Sequence, residues 1–304
     1  MKKLCCIGLA LLCCISLLGC KKSLPELSPN EMDFIEIGEN DKNYIYGQIT
    51  GKLAPNALIV KVDSTHELIA KGETIYVITD DFDNWCEDDQ IQVIFSSLQC
   101  PHDTKQHKRL IADEIQNLAV GFKPIIYLYP ETSTVCSVKL TCQGLLTCTY
   151  PTISADGWKD FTALPDGTLI FPDEKEYYAL YWEGLLETEW DFSKGYCVRG
   201  EDTVTFLEWA LAKQGLTPRE ANEFIIYWLP LMQENPYNVI SFQTTAYTDI
   251  AVLEIDPLPD SLLRVFMAYY PSDTEVNIAP QEFESFTRGG FMVVEWGGSE
   301  VKEP

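Results

Sequence analysis

Leu262-Leu-Arg-Val-Phe-Met-Ala-Tyr269 and Phe291-Met-Val-Val-Glu-Trp296 decide the fold. Each is a short run of strand-forming residues, apolar at odd and even positions alike. A strand with one solvated face alternates polar with apolar, so a run apolar on both faces has to be covered on both. These two therefore predict central strands of a sheet with a layer on each side. One charge interrupts each run, Arg264 and Glu295, and a charge buried without a partner is costly.

Around them lie further strand candidates at 124–130, 135–141, 145–150, 158–163, 168–171, 177–183, 239–242 and 250–255. Gln143-Gly144 reads as the two-residue turn of a hairpin joining the second and third of these. The clear helical signals fall between 203 and 233. The first helix, over 203–214, takes Asp202 or Thr203 as its cap, carries the stripe Leu207, Ala210, Leu211 and ends at Gly215. The second, over 218–232, opens on Thr217-Pro-Arg-Glu220, a capping box with proline in the first helical position. Its stripe is Ala221, Phe224, Ile225, Trp228 and Leu229, and Pro230 is expected to kink or end it. Residues 117–304 thus predict a β-sandwich-like domain with one packed helical hairpin.

Upstream, the runs 44–53, 57–62, 73–79, 90–96 and 110–115 are short, evenly spaced and separated by turn residues. Five strands in so short a stretch predict a small OB-like antiparallel barrel over 33–116, with the boundary at 117–124. The class is α+β, mainly β.

Six motifs in order, Lys123-Pro-Ile-Ile-Tyr-Leu-Tyr-Pro130, Gly200-Glu-Asp-Thr203, Tyr227-Trp-Leu-Pro-Leu-Met232, Asn235-Pro-Tyr-Asn238, Arg264-Val-Phe-Met267 and Val293-Val-Glu-Trp-Gly-Gly298, resemble those of an uncharacterised family of bacterial secreted proteins and lipoproteins. That likeness covers about 123–302 and implies a shared fold with no assigned activity. Residues 33–116, with Gly47-Gln-Ile-Thr-Gly51 and the acidic hairpin before Gln90, loosely resemble OB-like domains of other bacterial lipoproteins.

The amino terminus reads as an address. Lys2 and Lys3 precede an apolar run from Leu4 to Leu18, followed by Gly19-Cys20, the layout of a lipoprotein signal over 1–19. Fifteen residues rising ~1.5 Å each do not cross a ~30 Å hydrocarbon core. Cys20, preceded by a small residue, is the expected lipid attachment site, and residues 20–32 read as a polar, proline-containing tether. Two or more acyl chains suffice for stable anchoring. The expected location is the extracytoplasmic face of the cell membrane, with the membrane itself the first partner.

Cutting before Cys20 removes two lysines, which leaves 20 basic against 46 acidic residues and a net charge of −26. Such a chain is repelled by phosphate backbones, which excludes nucleic acid as a partner.

The three histidines, His66, His102 and His107, all precede residue 108, so 117–304 cannot build an ordinary Ser-His or Cys-His centre. No nucleotide, zinc-protease or serine-hydrolase motif is present, and no cofactor is implied. One helical pair is too few for the two α/β lobes of a transporter's substrate-binding lipoprotein. Cys86 and Cys100 are the candidate disulfide of the barrel. Cys100, His102, His107 and Cys86 are the donors a zinc site would draw on, without a C-x-x-C to support it. In Asp80–Asp89, Asp81, Asp83 and Glu87 are the oxygen donors a calcium ion would use, although the run lacks EF-hand spacing and reads as a solvated loop.

Two functional readings follow. The first is a non-enzymatic binding or scaffolding module of the envelope, with a glycan or another envelope protein as its partner. The alternative is a glycan hydrolase using Glu183 and Glu295, each beside a tryptophan and a glycine at a strand end. The competing structural role for those carboxylates is pairing with Arg264 or Arg199.

Overall fold

The computed structural model describes residues 31–36, 43–243 and 245–303. The leader, Cys20 and the tether up to residue 30 lie outside the described residues.

Six strands form the first sheet: β1 (Met32–Glu36), β2 (Tyr44–Leu53), β3 (Ala57–Val62), β4 (Thr74–Ile78), β5 (Gln90–Pro101) and β6 (Arg109–Asn117). The pairings β2–β3, β3–β4, β4–β6, β6–β5 and β5–β2 return to their start, and only β4–β6 is parallel. Inward positions converge on one cluster, among them Ile45, Ile49, Val60, Ile75, Val93 and Leu110. β1 extends this sheet along the far half of β5, Met32 opposite Pro101. β1 begins at the last residue of the expected tether and otherwise lies within 33–116, where it is a sixth strand beside the five expected.

At the expected boundary the strands follow one another almost directly. β6 is followed after one residue by β7 (Ala119–Tyr129). That residue, Leu118, is buried with Tyr46 and Leu185 where the first sheet meets the rest of the chain.

Two further sheets form a sandwich. One has five strands in the order β12 (Glu176–Tyr177), β11 (Leu169–Ile170), β10 (Trp158–Ala163), β8 (Thr134–Cys142), β16 (Ala251–Asp256). The other has eight: β18 (Ala279–Pro280), β14 (Lys194–Arg199), β15 (Tyr237–Phe242), β17 (Ser261–Ser272), β19 (Met292–Glu300), β7, β13 (Leu180–Leu186), β9 (Gly144–Tyr150). The outer face of the larger sheet carries helices α1 (Thr203–Gln214) and α2 (Pro218–Met232). A third helix, α3 (Thr245–Ile250), has no clear period in the sequence and brings Tyr247 into the sandwich interior.

β17 and β19 pair in parallel from Ser261↔Met292 to Tyr269↔Glu300, flanked by β15 and β7. Val265, Met267, Val294 and Trp296 face the helices, whereas Phe266, Ala268 and Val293 face the five-stranded sheet. Both faces are covered, as their two-sided apolarity requires. α1 ends at Gly215 with φ +100°, and the Thr217–Glu220 capping box forms in full. Pro230 lies within the last turn of α2, which runs on to Met232; without an N–H it forgoes the bond to the Ile226 carbonyl, and only two helical residues follow it.

The expected hairpin at Gln143-Gly144 is corrected. β8 pairs with β10 and β16, β9 with β13, so the chain crosses here from one sheet to the other. Gly144 sits at φ +130°, and a Cβ there would lie 1.9 Å from the Leu185 carbonyl oxygen. A glycine that fits a tight turn serves equally where two backbones nearly touch.

The Cys86–Cys100 disulfide is also corrected. Cys86 precedes β5 and Cys100 lies near its far end. Ten extended residues span roughly 33 Å, against the ~7 Å limit between bridged Cα atoms. All six cysteines from Cys86 onward are free, Cys86 and Cys148 exposed and Cys136 buried, its thiol pushed up to about 11 by burial. A thiol reagent such as Ellman's should label Cys86 and Cys148 promptly in the folded protein and Cys136 only on unfolding.

Inside the sandwich, Arg264 and Glu295 are opposite each other in the β17–β19 register. Arg264 Nε donates to Glu295 Oε2 at 2.6 Å, and Trp182 Nε1 donates to Oε1 at 3.0 Å. Glu295→Gln should lower stability by ~3–5 kcal/mol through the unpaired guanidinium, read from denaturant midpoints. The double change Arg264→Met with Glu295→Leu should lose less than either single change.

Candidate functional site

The Lys123–Pro130 motif builds a site through strand alternation. On β7, Ile126 and Leu128 point into the sandwich, while Ile125, Tyr127 and Tyr129 point under the helices. Above them lies α2, where spacing of four sets Arg219, Glu223 and Tyr227 along one side. The next face carries Glu220, Phe224 and Trp228, so the buried stripe includes a carboxylate the hydropathy pattern did not anticipate. Glu220 closes the capping box with its own side chain and receives both arms of Arg288, at 2.9 Å each. That bidentate pair accounts for an almost fully buried charge.

A pocket of about 220 Å³ opens here, between β7, α2 and the turn linking β10 to β11. The turn is Asp166-Gly167-Thr168, with Asp166 accepting the Thr168 amide at 2.9 Å. Gly167 lies at φ +90°, and a Cβ on it would approach Tyr129 Cε1 to 2.7 Å, so only glycine lets the turn close against that ring.

Three tyrosines line the pocket. Tyr127 and Tyr129 are parallel, 6.2 Å between centroids and 4° between planes, and Tyr178 tilts over Tyr127 at 6.4 Å. Tyr127 is buried and its hydroxyl donates to Glu223 Oε2 at 2.6 Å, whereas Tyr178 is 59% exposed. Burial, then the charge of Glu223, raises the Tyr127 phenol well above its usual range; burial and Glu220 do the same to Tyr129. Both are therefore neutral hydroxyls throughout the physiological range. Arg219, exposed on α2, supplies a cation at the rim.

Lys123 adds a second charge nearby. Its backbone is left-handed, φ +51°, and its ammonium sits 4.8 Å from the Tyr227 ring and 5.5 Å from that of Trp296. Burial lowers it, and Glu223 opposes the shift. The arrangement suits a small ligand with polar edges and an apolar face: ring surfaces to stack on, with a carboxylate, a guanidinium and a hydroxyl around them.

The carboxylates singled out in the sequence do not assemble. Glu295 is fully enclosed on the sandwich side of the eight-stranded sheet, held by Arg264 and Trp182. The Tyr247 ring lies 4.6 Å from the guanidinium. Burial lowers Arg264, but Glu295 and Tyr247 together, through charge and hydrogen bonding, outweigh it, so the net shift is upward. Glu183 faces the other way, half-buried beside the Tyr181 hydroxyl; burial, then the charge of Glu183, raises the phenol of Tyr227 on α2. A glycosidase pair stands ~5–9.5 Å apart across an open cleft; here the sheet lies between them. The expected acid and nucleophile are thus corrected to one buried structural charge and one separate surface carboxylate.

The remaining candidates sit on the first sheet. Asp81, Asp83 and Glu87 are exposed around a single 3-10 turn, Phe82–Asn84. His102 contacts Asp33 at 3.1 Å and His107 packs edge-on to Tyr76. Among the described residues, no three His, Cys, Asp or Glu side chains converge on a metal-sized site. Glu223 and Tyr178 escaped sequence reasoning because neither belongs to a motif of known chemistry. The signal available was Tyr127 and Tyr129 two apart in an otherwise apolar strand.

A 63-residue stretch, 20% of the chain, is 43% identical to a Butyrivibrio fibrisolvens protein described as the uncharacterized protein in the bglA 3' region. The chain spans 65% of that relative's length, just under two thirds of it. No family model matches the chain. No solved structure matches it.

Proposed function

We propose that this protein is a lipid-anchored binding module of the cell envelope that takes a terminal sugar of a glycan in the Tyr127–Tyr129–Tyr178 pocket. The observation that carries this reading is the parallel tyrosine pair with Tyr178 exposed beside it, ringed by Glu223, Arg219 and Asp166. A sugar ring offers a C–H face to an aromatic surface and hydroxyls to carboxylate and guanidinium groups. The pocket volume, about 220 Å³, is below the usual range for drug-sized ligands and suits one ring. Binding is favoured over catalysis because the sandwich holds no histidine and its most enclosed carboxylate is already neutralised by Arg264.

In this reading, the ring of pairings β2–β3–β4–β6–β5 is an OB-like barrel, with the parallel β4–β6 contact closing it. It stands between the tether and the sandwich, so that lipid on Cys20 holds the glycan pocket away from the membrane. Support for the anchor is the Gly19-Cys20 junction after a fifteen-residue apolar run.

Two measurements test these claims. Mass spectrometry of the mature chain should find a diacylglyceryl thioether on an amino-terminal Cys20; an unmodified thiol or a retained leader overturns the anchor. A glycan array followed by calorimetry should identify a ligand whose affinity falls ~10-fold or more in Tyr178→Ala and Glu223→Gln, with Trp209→Ala on α1 unchanged. Equal loss in all three variants, or in none, removes the pocket from the argument.

A further inference from the structure

A second cavity, about 490 Å³, lies where the first sheet meets the sandwich. Its walls come from the approach to β5, the β6–β7 junction, the segment after β13 and the stretch following β19. Asp88, Asp89, Glu189, Glu300 and Glu303 face Lys302 across it, five acidic groups to one basic. Three of the five are engaged within the chain: Glu300 accepts from the Tyr269 hydroxyl at 2.7 Å, Asp88 accepts from the Gln48 side-chain amide at 3.3 Å, and Asp89 accepts from the Cys86 amide at 2.7 Å and pairs with Lys302. Asp89 is 7% exposed, so the cleft already holds one alkylammonium against a nearly buried carboxylate, although the lysine supplying it is itself 62% exposed.

Charge is not the only feature. Trp190 and Phe192 supply aromatic wall. Among the described residues two buried polar atoms of lining side chains have no partner, the indole N–H of Trp190 and the amide oxygen of Gln90. Buried polar atoms are nearly always paired, and exceptions call for an explanation. Both atoms are closed to solvent, so an incoming group meets the surrounding carboxylates first, and these match a cation.

We infer that this cleft binds a lysine-bearing peptide segment of a partner protein, and that Lys302 occupies the ammonium position until such a segment displaces it. The exposed lysine is a weak internal competitor because its own ordering costs side-chain entropy. The peptide's ammonium takes its place on Asp89, with Glu189 and Glu303 adding to the field. The high negative charge of the chain draws basic segments toward it.

The test titrates the mature protein with Nα-acetyl-L-lysine N-methylamide, using the norleucine analogue as the uncharged control. The lysine probe should bind about tenfold more tightly than the control. Lys302→Ala should tighten it further by about tenfold, because the competing state is removed. Glu189→Gln, at an exposed position that does not endanger folding, should weaken it several-fold. Equal isotherms for the two probes overturn the inference, as does a folded Lys302→Ala that binds no better. If Lys302→Ala does not fold, an unchanged affinity in Glu189→Gln overturns it instead.

Discussion

The ion pair between Arg264 and Glu295 is the constraint on which the sandwich depends. It joins the two central strands, which run parallel and so have no tight turn to set their register. A slip of one residue by either strand would move its charge to the opposite face and leave both charges without a partner, and an isolated buried charge costs several kcal/mol. Register is thus specified by what misalignment would cost more than by what the pair adds. Trp182, two strands away on β13, gives the carboxylate a second hydrogen bond and ties β13 to the centre of the sheet.

Once that register holds, the remaining chemistry sorts by face. Everything on the sandwich side is sealed between two sheets and serves packing; Tyr247, stacked on Phe266 at 4.1 Å, is an example. On the helix side, α1 and α2 cover the centre of the eight-stranded sheet. Tyr129, Tyr178, Glu183 and Arg219 emerge where that cover ends. The pocket is a consequence of a sheet wider than the helical pair laid on it. The cleft against the first sheet arises differently, from two packed bodies whose carboxylates outnumber the cations facing them.

Local signals were legible wherever one residue's chemistry suffices. Thr217 and Glu220 announced the start of α2, Gly215 the end of α1, and the two-sided runs the central strands. They failed where the same residue serves two geometries. Gly144 fits a hairpin turn and a sheet-to-sheet crossing equally well, and nothing within five residues distinguishes them. β1 was missed because its burial pattern, half-buried at Met32 and Ile35 only, has no period for a reader to find. α3 is six residues long, too short for a stripe.

The sequence by itself determined that the chain is mainly β, that a helical pair must cover a sheet with apolar residues on both faces, and that a carboxylate in Val293–Trp296 needs a cation. It could do so because hydrophobic period, capping and charge burial are properties of adjacent residues. Only the tertiary structure decided that Arg264 is that cation, that Glu183 and Glu295 lie on opposite faces of one sheet, and that Tyr127, Tyr178 and Glu223, up to 96 residues apart, share one pocket. Such pairings depend on strand order and on which side of a sheet each residue faces, and a single register shift would reverse them.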